Sequence, residues 1–167
     1  MDVREQGVVF ACEGETLVGV ITRGEQVAAT GVVIVVGGPQ YRVGSHRQFV
    51  LLARTLAAHG VACLRFDYRG MGDAGGEQRS FATVDADIDA ALAAFHAAVP
   101  GLQQVVLWGL CDGASAICLR LGDEDNRGAP PLPIAGAVLL NPWVRTVEGH
   151  ARTMLKHYYL KRLLDRR

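Results

Sequence analysis

Gly109-Leu110-Cys111-Asp112-Gly113 sets a thiol between two glycines. An apolar run, Val105 to Trp108, leads into it, and a small-residue segment of helical pattern follows. A strand-to-helix turn with small residues two positions either side of a nucleophile has the form G-x-S-x-G, here with cysteine in place of serine. Such a turn forces the central residue into a strained conformation, and Gly109 and Gly113 relieve the crowding around it. Cys111 would then sit at a helix N-terminus, where the backbone dipole favours negative charge. Attack of its sulfur on a carbonyl would form an oxyanion, and the backbone N–H of Asp112 would point at that oxygen.

A second donor is expected from the loop Gly37-Gly38-Pro39-Gln40. Proline has no N–H, so Gly38 or Gln40 would have to serve. The loop Arg69-Gly70-Met71-Gly72-Asp73 invites comparison with phosphate cradles. It lacks the Lys-Ser/Thr of a P-loop, and its glycine spacing does not fit a dinucleotide fingerprint. It reads as a structural loop near the site.

These residues need elements to hold them. Val32 to Val36 is an unbroken β-branched run, apolar on both faces, as in a central parallel strand. Two short runs before it, Gly7–Cys12 and Leu17–Thr22, read as a hairpin turning at Gly14-Glu15. Ser45 is placed to cap a helix carrying Phe49, Leu52, Ala53, Leu56 and Ala57, which His59-Gly60 closes. Further strands are expected at Val61 to Phe66, Val105 to Trp108 and Ile134 to Leu140. Helices are expected around Val84 to Phe95 and from the Cys111 turn to about Leu121. Asp85, Asp87 and Asp89 lie where the dipole of the first of these helices favours negative charge. Strands alternating with helices from residue 32 to 140 imply an α/β fold, a mostly parallel sheet with helices on both faces. We divide the chain into a core at residues 1–147 and a helical, basic tail at 148–167.

Composition sets the outer limits. The chain has 167 residues, half of them hydrophobic, enough for one domain with a sizeable core. Seventeen basic and seventeen acidic residues cancel, which points to neither nucleic acid nor an anionic membrane surface. No apolar run reaches the length of about 20 residues that a membrane helix needs. The four cysteines, Cys12, Cys63, Cys111 and Cys118, show no metal-site or C-x-x-C spacing. Reduced thiols and a cytoplasmic location follow as the simplest reading. Cys12, Cys63 and Cys118 read as packing residues. No cofactor and no metal is expected.

Four segments together resemble one family. They are G-G-P-Q-Y-R-V-G-S-H-R-Q-F, L-R-F-D-Y-R-G-M-G-D, L-W-G-L-C-D-G-A-S-A and L-L-N-P-W-V-R-T. They are similar to the exosortase A system-associated hydrolases, type 1, a branch of the α/β-hydrolase superfamily with serine-aminopeptidase-like relatives. The resemblance runs over residues 5 to 167. It implies a bacterial protein encoded beside exopolysaccharide and protein-sorting systems. It also implies a hydrolase or acyl-transferase acting on a small-molecule ester, thioester or amide. Cys111 matches the nucleophile, Asp112 a backbone oxyanion donor, and Gly38 and Gln40 the other oxyanion loop. Many relatives have alanine where Gly113 stands, which reads as a mild change.

In the family pattern a cap region and two more strands follow, and these carry the triad acid and then the histidine. The chain is therefore expected to be the N-terminal part of the fold, with the C-terminal strands, the acid and the base missing. His46, His150 and His157 are not at the base position. An unfinished sheet edge would invite self-association. The alternative is a non-catalytic binding or scaffolding protein that keeps the fold without the chemistry.

Overall fold

The structure is a computed structural model, and it describes residues 2–38, 40–122 and 129–142. The expected boundary between the core and the tail at 148–167 lies outside the described residues.

Strands β1 (Arg4–Cys12) and β2 (Glu15–Arg23) pair antiparallel, with Cys12 opposite Glu15. That register puts the turn at Glu13-Gly14, one residue earlier than the sequence suggests. Both residues have positive φ, 47° and 84°, as a two-residue type I′ turn requires.

The chain then alternates as expected. β3 (Thr30–Val35) precedes α1 (Gln48–Ala58), and β4 (Cys63–Asp67) precedes α2 (Asp85–Ala98). β5 (Gln104–Leu110) precedes α3 (Asp112–Gly122), and β6 (Ile134–Leu140) comes last. The strands form one sheet in the order β1-β2-β4-β3-β5-β6. β4, β3, β5 and β6 run parallel, and β2 joins β4 antiparallel. β3 lies between two parallel neighbours, and Val32 to Val36 are all buried. This is why its sequence is apolar at every position.

The two faces of the pleat separate cleanly. Val33, Val35, Leu64, Phe66, Val105 and Leu107 pack with Ile88, Leu92 and Phe95 of α2 and Ile117 of α3. Val32, Ile34, Val36 and Cys63 pack on the other face with Phe49 and Ala53 of α1. Helices therefore cover both sides of the sheet, and one-residue alternation decides which helix each strand residue meets.

Local endings differ from expectation at α1. Ser45 opens a 3-10 turn, Ser45–Arg47, and Arg47 precedes α1 in a left-handed conformation with no side-chain cap. Two free cysteines, Cys12 and Cys63, are buried as expected, whereas Cys118 is exposed on α3. Burial pushes the Cys63 thiol up to about 12, as expected of an inert packing thiol.

Candidate functional site

The turn at the end of β5 is built from close backbone approaches. Cys111 has φ +51°, a left-handed conformation rare outside glycine and asparagine. Its N–H donates to the carbonyl of Leu140 at 2.9 Å, which extends the β5–β6 pairing by one residue. Its carbonyl accepts from the N–H of Ser115 at 3.0 Å, the first turn of α3. A Cβ at Gly109 would lie 2.6 Å from the N of Ala114. A Cβ at Gly113 would collide with the carbonyl oxygen of Val35, and one at Gly37 with the N of Gly113. The start of α3 is thus pressed against the ends of β3 and β5. That compression holds Cys111 in a conformation it would not adopt alone. Alanine at position 113 is therefore not mild in this backbone, because β3 and α3 would have to part.

Cys111 is half-buried at the first turn of α3. The side-chain amide of Asn141 lies with Nδ2 3.6 Å from Cys111 Sγ. Asn141 ends β6 and also has a positive φ, 51°. Its role was not apparent in the sequence. The signal was there, because Asn-Pro after an apolar strand marks a turn and asparagine tolerates φ above zero.

The loop after β3 comes up beside the elbow. Gly38 has φ +67°, and a Cβ there would lie 3.7 Å from Asp112 Oδ2. The N–H of Gln40, however, donates to the carbonyl of Gly38 at 2.8 Å. An N–H engaged within its own loop would have to leave that bond to serve an oxyanion, which favours Gly38 of the two candidates. Asp67, buried at the end of β4, anchors the same loop. It accepts from the N–H of Arg42 at 2.6 Å and pairs with the Arg42 guanidinium. Its other oxygen accepts from the N–H of Asp73 at 3.1 Å, and Arg42 reaches Asp73 Oδ2 at 2.8 Å. One carboxylate thus joins the loops after β3 and β4. This is the structural role expected for the glycine-rich segment.

The next residues of that segment hold a buried ion pair. Arg69 donates through Nε and Nη2 to Asp87, the latter at 2.8 Å, and its backbone N–H also reaches Asp87 at 2.8 Å. The third guanidinium nitrogen, Nη1, meets Glu13. Asp89 binds Arg120 of α3 at 2.9 Å. Asp87 and Asp89 are therefore tertiary anchors as well as charges at a helix start. Sequence spacing could not reveal this, because their partners lie on other elements.

Between these loops and the elbow lies a cleft of about 560 Å³. Gly38 and Asp112 of the elbow region line it together with Tyr68, Arg79, Ser80 and Phe81. Burial, then the Asp112 and Asp87 carboxylates, push the Tyr68 phenol up to about 12. Neither Tyr68 nor Arg79 was singled out in the sequence.

The structure brings together Cys111, Asp112, Gly38, Gly109 and Gly113. It brings no histidine to them among the described residues. His46 is exposed in the 3-10 turn, and His59 is exposed at the end of α1 with Nδ1 2.8 Å from the Thr55 carbonyl. His150 and His157 lie outside the described residues.

Comparison with known proteins agrees with this architecture. A polyketide transferase, grgF, from Penicillium sp is 34% identical over 94 residues, 50% of this chain and 30% of that protein. The crystal structure of the alpha/beta hydrolase GrgF from Penicillium sp. sh18 superposes with a TM-score of 0.66 at 21% identity. It covers 96% of this chain and 54% of that one. The Pyrococcus furiosus esterase Pf2001 superposes with a TM-score of 0.74 at 20% identity, covering 95% of this chain and 59% of that one. The chain thus spans just under a third of the curated relative's length and between half and two thirds of these solved structures. A profile of the alpha/beta hydrolase family matches residues 32–166, from β3 through the elbow and past β6, and the chain belongs to that family.

Proposed function

We propose that Cys111 is the nucleophile of a site that hydrolyses or transfers an acyl group carried as an ester, thioester or amide. The observation that carries this reading is the strained φ of +51° at Cys111, held by backbone contacts that leave no room for a Cβ at Gly37, Gly109 or Gly113. A left-handed backbone at a half-buried thiol, beside a cleft, is a costly way to place a packing residue.

In the proposed step, Sγ adds to the carbonyl carbon, and the carbonyl π pair becomes an oxyanion facing the N–H groups of Asp112 and Gly38. Collapse breaks the bond to the alkoxide, thiolate or amine, which leaves with the proton given up by the thiol. Water or a second acceptor then attacks the acyl-Cys111 thioester and restores the thiol. Asn141 would orient Sγ through its amide. The general base comes from outside the described residues, and the family resemblance implies a histidine for it. The assignment to exosortase A system-associated hydrolases rests on the four quoted sequence segments. A cytoplasmic site of action rests on the reduced cysteines. No described helix is long and apolar enough to cross a membrane.

Single-turnover acylation tests the nucleophile without requiring the complete catalytic cycle. The chain and its Cys111→Ala variant are incubated with an activated aryl thioester, and adducts are mapped by peptide mass spectrometry. We expect acylation at Cys111 roughly tenfold faster than at the exposed Cys118. Equal labelling of the two thiols, or none at Cys111, would sink the proposal and favour a scaffolding role.

A further inference from the structure

We propose that Arg79 makes the cleft beside Cys111 an oxyanion-binding subsite, so that the accepted substrate carries a carboxylate or phosphate away from the reacting carbonyl. The inference rests on the nucleophile reading of Cys111 and adds a substrate class to it. Arg79 lies in the loop between β4 and α2 and lines the same cleft as Gly38 and Asp112. The guanidinium groups of nine arginines lie among the described residues, and those of Arg4, Arg23 and Arg47 are neither ion-paired there nor at this cleft. Those of Arg42, Arg54, Arg65, Arg69 and Arg120 each meet a carboxylate in an ion pair. The Arg79 side chain has no hydrogen bond or ion pair to any described residue, and its Nε is buried without a partner.

A buried N–H without an acceptor is unfavourable, and a planar guanidinium fork matches a carboxylate or phosphate through two parallel hydrogen bonds. The arrangement is therefore incomplete in a way that an oxyanion would complete. Ser80, next in the chain and also lining the cleft, offers a hydroxyl donor to the same anion. Asp112 works in the other direction. Its carboxylate also lines the cleft, and a carboxylate there disfavours an anion brought close to the elbow. The two charges together would admit a substrate with its anionic end at Arg79 and its neutral acyl carbon at Cys111.

Alkylation of Cys111 by a charged and a neutral reagent reads this out without turnover. Rates with N-iodoacetyl-β-alanine, whose carboxylate lies several bonds from the reacting carbon, and with iodoacetamide are measured at the Cys111 peptide by mass spectrometry, in the unaltered chain and in Arg79→Gln and Arg79→Lys. The rate ratio of N-iodoacetyl-β-alanine to iodoacetamide should fall roughly fivefold in R79Q and be largely kept in R79K. An unchanged ratio in R79Q overturns the subsite. A second arm needs no variant. Glutarate and inorganic phosphate, at matched ionic strength, are tested for protection of Cys111 from iodoacetamide in the unaltered chain. Protection by glutarate points to a carboxylate-ended acyl chain, and protection by phosphate to a phosphate-bearing substrate. Protection by neither overturns the proposal even if R79Q fails to fold. The iodoacetamide rate compared with that of a free thiol reports on the nucleophile separately.

Discussion

β5 and β6 lie side by side, hydrogen-bonded from Val105 to Leu110, and they are built by opposite rules. β5 ends in a turn where no atom could be added. Gly109, Gly113 and the neighbouring Gly37 face backbone atoms so closely that a methyl group would collide. β6 is the outer strand of the sheet, and Val138, Leu139 and Leu140 are 42%, 38% and 42% exposed. Its sequence, Ile-Ala-Gly-Ala-Val-Leu-Leu, is as apolar as that of a buried strand. The difference teaches that the geometry around Cys111 is set by close approach among β3, β5 and α3. β6 adds the Leu140 carbonyl, which accepts from the Cys111 N–H, and the Asn141 amide beside Sγ. The opposite edge, β1, opens with Arg4, Glu5 and Gln6, and Glu5 there binds Arg54 and Arg65, each at 2.6 Å. Charge on an edge strand is a common defence against strand-to-strand association, and β6 has none.

The contrast can be broken most directly at Gly37. Gly37→Ala should cost about 3 kcal/mol, because the neighbouring atoms are backbone and cannot swing aside. Urea denaturation measures this, and a loss as small as that of a β6 surface change would end the distinction between the two strands. The next effect appears only in alkali. The folded state raises the Tyr68 phenol from 10 to about 12, so the neutral form is favoured on folding. Its contribution is fully present below pH 10 and is lost as pH rises from 10 toward 12. Tyr68→Phe should therefore flatten the fall in stability over that window, and equal slopes would mean that the phenol is not held neutral.

A smaller effect isolates the strain itself. Cys111→Gly should be about 1 kcal/mol more stable than Cys111→Ala, since only glycine accepts φ +51° without cost. Equal stabilities would remove backbone strain from the account of the elbow. The smallest change in stability is expected at the edge. Val138→Lys should alter it by no more than about 0.5 kcal/mol while reducing self-association in sedimentation velocity. A unaltered chain that sediments as a monomer would show that the exposed edge does not associate.

Much of this was legible in the residues. Val32 to Val36 announced a central parallel strand, and Ile88, Leu92 and Phe95 announced the buried stripe of α2, because burial leaves a period in the sequence. Gly109 and Gly113 marked the elbow because only small residues fit there. Other readings failed where the decisive partner lay far along the chain. Ser45 has cap chemistry, but the 3-10 turn moved the start of α1 to Gln48. Asp87 looked like a charge at a helix start, yet its carboxylate binds Arg69 in the interior. Gln40 had a free N–H on paper and spends it on Gly38.

By itself, the sequence determined the order of strands and helices and the place of a thiol at the junction of β5 and α3. Those features follow from periodicity and from residue size, which are local properties. Tertiary structure alone decided that Gly37 must be bare, that the Gln40 N–H bonds within its own loop, and that Tyr68 and Arg79 line one cleft with Asp112. It also left the apolar side chains of β6 exposed. Each of these depends on which surfaces meet when the sheet assembles, and contacts between residues distant in the chain leave no spacing to read.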